Sequence, residues 1–263
     1  MKIDLSGKYA LVTASSKGIG KGIAKVLSMV GANIIIVSRN RDNLNQAVKD
    51  LKKTALGEIY SYTADLSNIE SLRDLVGWIS GSFNNIDIFV FNTGGPKPGW
   101  FHELTMDDWV HASKLLLHSA IYLTHAVIPG MLKNKWGRII YSTSVAIKEP
   151  VNGLVLSNTI RISIAGLVRS LAKEYGGRGI TVNAIMPGYI LTNRILEIAK
   201  KRAEEKNLGI NEVINDMSKD IPVGRMGRPE EIGYLVAFLS SNYASYINGA
   251  IIPVDGGLLR SAL

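Results

Sequence analysis

The sequence predicts an α/β protein built on a doubly wound parallel sheet. Seven short apolar runs, rich in Ile, Val and Tyr, alternate with longer amphipathic segments. Most of these runs are continuously apolar rather than alternating in polarity, as expected of strands covered on both faces. The first run leads directly into glycines that open a helix, a strand–turn–helix order suited to a phosphate ligand.

The elements follow in order. Strands are expected over Tyr9–Ala14, Asn33–Ser38, Ile59–Ala64, Ile86–Asn92, Arg138–Ser144, Ile180–Pro187 and Ala250–Asp255. Helices fill the gaps. Ser67–Glu70 and Thr105–Asp108 read as capping boxes, each with an acid three residues after the cap. Pro229, followed by Glu230 and Glu231, opens a late helix. Asn152–Gly166 reads as a helix with Ser157 and Arg161 one turn apart on one face. Alternating strands and helices imply right-handed crossovers. No linker, repeat or low-complexity tract divides the chain, so one domain over 1–263 is expected.

Composition narrows the function class. The chain has 263 residues, of which 46% are hydrophobic and 20% charged, enough to bury a substantial core. It has no cysteine, which excludes disulfides and thiolate metal sites. The formal charge of +8 is spread along the chain, with no basic stripe interleaved with aromatics. Anionic small ligands fit that surface better than nucleic acid does. The N-terminal residues lack the apolar core of a signal peptide, and no uninterrupted apolar run approaches the ~18 residues of a membrane span. A soluble cytoplasmic protein that makes no membrane contact is expected.

Gly18 and Gly20 stand where free backbone N–H groups and the helix dipole attract a pyrophosphate. Dinucleotide sites commonly place an acid at the tip of the second strand, for the ribose hydroxyls. Here that tip reads Ser38, Arg39, Asn40, with no acid. A guanidinium at this point suits a 2′-phosphate, and Lys17 adds a second cation, so NADP is expected over NAD.

With these pieces placed, the chain resembles the short-chain dehydrogenase/reductase family over essentially its whole length. "TASSKGIG" (Thr13–Gly20) is similar to the family's Thr-Gly-x-x-x-Gly-x-Gly, with Ala14 in place of the first glycine. "ADL" (Ala64–Leu66) resembles the segment whose aspartate meets the adenine, and "FNTGG" (Phe91–Gly95) the end of the fourth strand. "MPGYILT" (Met186–Thr192) resembles the Pro-Gly segment beside the nicotinamide, and "GAIIPVDGG" (Gly249–Gly257) the last strand. The cofactor contacts this implies are Thr13, Ser15, Ser16, Lys17, Gly18, Ile19, Gly20, Ser38, Arg39, Asn40, Asp65, Leu66, Asn92, Thr93, Gly94, Arg161, Pro187, Gly188, Ile190 and Thr192. The segment Asn193–Pro222 resembles a substrate-covering lid. A homotetramer built through Thr105–Lys133 and Asn152–Tyr175 is implied as well.

The catalytic set departs from the family. "GRIIYSTS" is similar to the strand that ends in the catalytic serine, which falls on Ser144. The family's Tyr-x-x-x-Lys then falls on Ser157 and Arg161, and its helical asparagine on Leu116. An aliphatic hydroxyl is far less acidic than a phenol of pKa ~10, and a guanidinium does not act as an acid near neutrality. Ser144, Ser157 and Arg161 are the expected catalytic group. Tyr189 and Lys148 are alternative proton sources, and Tyr141 should point away. Val145, Lys148, Val155 and Tyr189 are the expected substrate contacts. Lys148 with Lys200, Lys201 and Arg202 permits an acidic substrate. Two readings stay open: an oxidoreductase acting on a carbonyl or alcohol, and a dinucleotide-binding sensor or regulatory subunit without turnover. His111, His118 and His125 recur every seven residues and are expected on one helical stripe, in structural or interface roles rather than on a metal.

Overall fold

The computed structural model describes residues 2–261; within the helix 193–206 it leaves out the side chains of Arg194, Ile198, Lys201, Arg202 and Glu205. The strands are β1 (Tyr9–Val12), β2 (Asn33–Ser38), β3 (Ile59–Thr63), β4 (Ile88–Phe91), β5 (Gly137–Ser142), β6 (Ile180–Pro187) and β7 (Ile251–Val254). All pair in parallel, in the order β3-β2-β1-β4-β5-β6-β7. Every residue of β4, β5 and β6 is buried, including the polar Arg138, Ser142, Thr181 and Asn183, as expected of strands covered on both faces.

The side chains sort by strand period into two cores. Val12, Ile36 and Val90 pack with α1 (Gly18–Met29), α2 (Arg41–Lys52) and α9 (Pro229–Ser240). Leu11, Ile35 and Phe89 face the other way, toward α3 (Ile69–Ser82), α5 (Ser119–Asn134) and α6 (Val155–Tyr175). Chain order reverses between β1 and β4, and a ligand crevice belongs at the carboxyl ends of those strands. This is a Rossmann-type sheet in a single domain.

Several expected boundaries move. β1 ends at Val12 because Ala14 takes a left-handed φ of 45°. α3 is capped by Asn68 rather than Ser67: the Asn68 side chain accepts from the N–H groups of Glu70 and Ser71, while the Ser67 hydroxyl donates to Asp65. The capping box expected at Thr105–Asp108 is present. α6 starts at Val155 rather than Asn152, after a turn through Gly153.

The long helix is not uniform. α4 (Met106–Ser113) passes through one π-turn, Lys114–His118, before α5. By length and composition alone, 106–134 could cross a membrane; Leu116, Ala120, Leu123 and Val127 within it are buried in the protein. α7 (Asn193–Lys206) and α8 (Ile210–Ser218) follow β6 and share a small apolar cluster of Ala199, Ala203 and Val213.

One close crossing fixes the site. A Cβ on Gly22 of α1 would stand 2.5 Å from the Pro229 side chain, and one on Gly233 would stand 2.9 Å from the Gly22 carbonyl oxygen. Only glycine lets α1 and α9 approach so closely.

Candidate active site

A cleft of about 790 Å³ opens at the carboxyl ends of β1, β2 and β4. Ser16, Lys17, Gly18, Ile19, Ser38, Arg39, Leu66, Asn92, Thr93, Gly94 and Thr192 line it, all expected from the sequence. Its floor is the N-terminus of α1, where no acid occupies the first turn and no side chain caps the free N–H groups. That terminus is left open to an anion. Lys17 and Arg39 are exposed beside it, and their side chains form no salt bridge or hydrogen bond among the described residues. Thr192, at the head of α7, sits over Gly18.

Other expected contacts do not line the cleft, because the scaffold uses them. The Thr13 hydroxyl donates to the Asn92 carbonyl at 2.7 Å and accepts from the Asn92 N–H at 2.9 Å, clasping β1 to β4. Ser15 donates to the Val12 carbonyl and accepts from the Val37 N–H. Asn40 caps α2 through the Asn43 N–H. A Cβ on Gly20 would lie 2.4 Å from the Ala14 carbonyl oxygen, so Gly20 serves close packing of helix on strand. Gly188 packs its backbone on Asp255, Pro187 ends β6, and Ile190 is buried in the core. Asp65 accepts from the N–H and hydroxyl of Ser67. Burial pushes its carboxyl up, but the Ser67 bonds, then Arg39 and His111, outweigh this and hold it below the usual range.

The expected catalytic residues Ser144, Ser157 and Arg161 do not line the cleft; Arg161, 7% exposed, borders it through Thr93 and Gly94. Its Nη1 donates to the Ser142 carbonyl at 3.3 Å, and its Nη2 donates to the Thr93 hydroxyl at 3.1 Å and the Gly94 carbonyl at 3.2 Å. The guanidinium therefore joins the end of β5 to the cleft wall, with no carboxylate partner among the described residues. Burial pushes it down to about 10, so it remains charged at neutral pH. Ser157, one turn earlier on α6, is buried, and its hydroxyl bonds to none of the described residues. The Ser144 hydroxyl accepts from the Ala146 N–H at 3.2 Å, which leaves its own proton free to donate.

Of the residues expected at the substrate, Val145 is buried, Lys148 and Val155 are half-buried and Tyr189 is exposed; none lines the cleft. Tyr141 is fully buried against Thr124 at 2.6 Å, and burial pushes its phenol far up, so it points away from the cleft as expected. Lys200 is exposed, whereas the Lys201 and Arg202 side chains lie outside the described residues.

Sequence reasoning missed Ala14, Ala64, Gly95, Pro96, Lys97, His111, Leu115, Asn193 and Glu197 on the cleft wall. Ala14 could have been found, since it stands at a motif position that favours glycine. His111 could not, because the π-turn breaks the seven-residue stripe. His111 faces the cleft, while His118 and His125 line a separate groove with Ile69, Val76 and Ile121.

A family model described as enoyl-(acyl carrier protein) reductase matches residues 13–259. The chain belongs to the short-chain dehydrogenase/reductase family. It is 34% identical to the uncharacterized oxidoreductase YvaG of Bacillus subtilis over 266 residues, covering 99% of each chain. It is 31% identical to the 3-oxoacyl-[acyl-carrier-protein] reductase FabG of Aquifex aeolicus over 258 residues, covering 98% of this chain and 100% of that one. Among solved structures, L-sorbose reductase from Gluconobacter frateurii, complexed with NADPH and L-sorbose, superposes with a TM-score of 0.95 at 29% identity, covering 99% of this chain and 100% of that one. The protein is thus an NAD(P)-dependent oxidoreductase of the short-chain dehydrogenase/reductase type.

Proposed function

We propose that the protein is an NADP(H)-dependent reductase of a small carbonyl compound whose proton path dispenses with a phenol. One observation carries this reading: the buried Arg161 guanidinium bridges the end of β5 to Thr93 and Gly94 on the cleft wall. From there it holds the nicotinamide ribose hydroxyls and places a fixed positive charge beside the substrate oxygen. The bound cofactor supplies a hydride to the carbonyl carbon. Ser144 and Ser157 donate hydrogen bonds to the carbonyl oxygen, and the proton that completes the alcohol arrives from water along those hydroxyls. α7 and α8, joined to the cleft at Thr192, form the lid that excludes bulk water.

Arg39 and Lys17, exposed and in no salt bridge among the described residues, read the 2′-phosphate. NADPH in L-sorbose reductase supports the same choice here. The groove of about 580 Å³ between α3 and α5, with Ile69 and Ile121 exposed, supports a homotetramer through the long helices. A monomer by light scattering at micromolar concentration would overturn that assembly.

The catalytic reading is tested by Ser157→Tyr combined with Arg161→Lys. A gain in NADPH oxidation against a carbonyl panel is expected, because the native geometry then receives the family's proton donor. If wild type and the variant both bind NADPH and reduce nothing, the reductase reading fails in favour of nucleotide binding without turnover. Arg39→Asp should weaken NADPH by about 10–100-fold, the scale of a charge-assisted hydrogen bond, with little effect on NADH. Equal weakening of both, measured by calorimetry, would show that Arg39 does not read the phosphate.

A further inference from the structure

We propose that His111 is a third, pH-dependent reader of the cofactor's 2′-phosphate, so that the preference for NADPH over NADH strengthens as pH falls through the imidazole range. The inference rests on the NADP reading above and adds to it a residue and a regulation.

His111 lies on the exposed side of α4, and its side chain lines the cleft together with Ser38, Arg39 and Leu66. These belong to the end of β2 and the segment after β3, and Ser38 accepts a hydrogen bond at 2.8 Å from Ser16 in the loop before α1. Arg39 and His111 both act on the same Asp65 carboxylate, so the two basic groups share one neighbourhood. The charged groups facing it are few. Lys17 follows β1, Arg39 follows β2, Asp65 follows β3, Lys97 follows β4, and Glu197 comes from α7. On its own helical run stand Asp107, Asp108 and Lys114, with Asp108 already bound to Lys97 at 2.9 Å. Asp65 offsets part of the Arg39 charge, so a further positive charge here changes the local balance by a large fraction. Imidazole is the side chain whose ordinary titration falls between about pH 5 and 8. A protonated ring adds an attraction that NADPH, with its 2′-phosphate, receives and NADH does not.

The test is the ratio of NADH to NADPH dissociation constants, measured at about pH 6 and about pH 8 for wild type, His111→Gln and His111→Lys. His111 is exposed, so both variants should fold. The phosphate's own ionisation affects every variant alike, and dividing the wild-type ratio by the His111→Gln ratio removes it. That quotient should rise about two- to fivefold from the higher to the lower pH, the scale of a solvent-exposed ion pair. His111→Lys should hold the stronger preference at both pH values. A quotient that does not change, or a His111→Lys ratio equal to that of His111→Gln, overturns the inference while leaving the NADP reading intact. Equal affinity of wild type for the two cofactors at both pH values overturns the NADP reading itself and this inference with it.

Discussion

The two ends of β5 each hold a buried arginine, and their surroundings differ. At the amino end, Arg138 donates from Nη1 to the Gly137 and Gly179 carbonyls, at 2.8 Å and 3.2 Å. Its guanidinium lies 4.4 Å over the Trp136 ring, which also carries Lys8 at 4.1 Å. Its Nε has no partner. At the carboxyl end, Arg161 holds the Ser142 carbonyl and two groups of the cleft wall. Burial lowers both guanidinium pKa values. Neither is offset by a bonded carboxylate, and a buried charge in that position is costly. The amino-end cation is closed in by an aromatic ring and backbone. The carboxyl-end cation is bonded to Thr93 and Gly94, which line the cleft. The same residue type, buried at both places, is thus closed in at one end and borders an open cleft at the other.

The sharpest way to break this contrast is a pair of alanine variants. Arg161→Ala should lower NADPH affinity by about 10–100-fold, since charge-assisted hydrogen bonds are lost. Arg138→Ala should leave that affinity unchanged and lower only stability. Titration calorimetry with urea unfolding separates the two, and equal losses of affinity would erase the distinction.

A second variant probes strain at the open end. Ala14 holds φ 45° on the cleft wall, a conformation that costs a non-glycine residue about 1–2 kcal/mol. Ala14→Gly relieves that cost and loses some of it again to unfolded-chain entropy, for a net gain of about 0.5–1 kcal/mol in urea unfolding. A loss of stability would show that the alanine methyl contributes packing that outweighs its strain.

The smallest effect concerns an arginine that does have a carboxylate. Arg225 binds both Glu231 oxygens, at 2.9 Å and 2.7 Å. That pairing, then the Arg228 N–H, lowers the Glu231 carboxyl to about 2. Its folded value lies below its unfolded one, so its stabilisation is fully present above about pH 4.5 and is lost as pH falls toward 2. Glu231→Gln should flatten acid unfolding in that window by a few tenths of a kcal/mol, about the worth of a part-exposed pair. An unchanged acid limb would mean that the pair contributes nothing.

Much of the fold was legible. β6 matches Ile180–Pro187 in full because a strand buried on both faces leaves a mostly apolar run, broken only by Thr181 and Asn183. Thr105–Asp108 caps as read, since the cap and its acid are local. Ser67 misled because two neighbouring side chains compete: Asp65 takes the serine and frees Asn68 to cap. The seven-residue histidine spacing misled because a π-turn adds a residue to one turn, which no periodicity reveals. In the cleft, Gly18 and Arg39 were legible as lining residues, because a glycine opening a helix after a strand and the tip of the second strand meet at the carboxyl edge of the sheet. Thr13 and Ser15 were not separable from ligand contacts, because a hydroxyl that clasps two strands reads in sequence like one that faces a cofactor.

The crossing of α1 and α9 bears on how the chain is made. The helix that presents N–H groups to the cleft lies near the amino terminus, yet its outer face rests on residues 229–240 through Gly22 and Gly233. At about 5–20 residues per second, synthesis leaves roughly 10–40 s between the two helices. Through that interval the apolar face of α1, with Ile23, Val26 and Leu27, lacks its cover. The nascent first βαβ unit therefore stays without this brace until residues 229–240 have been made.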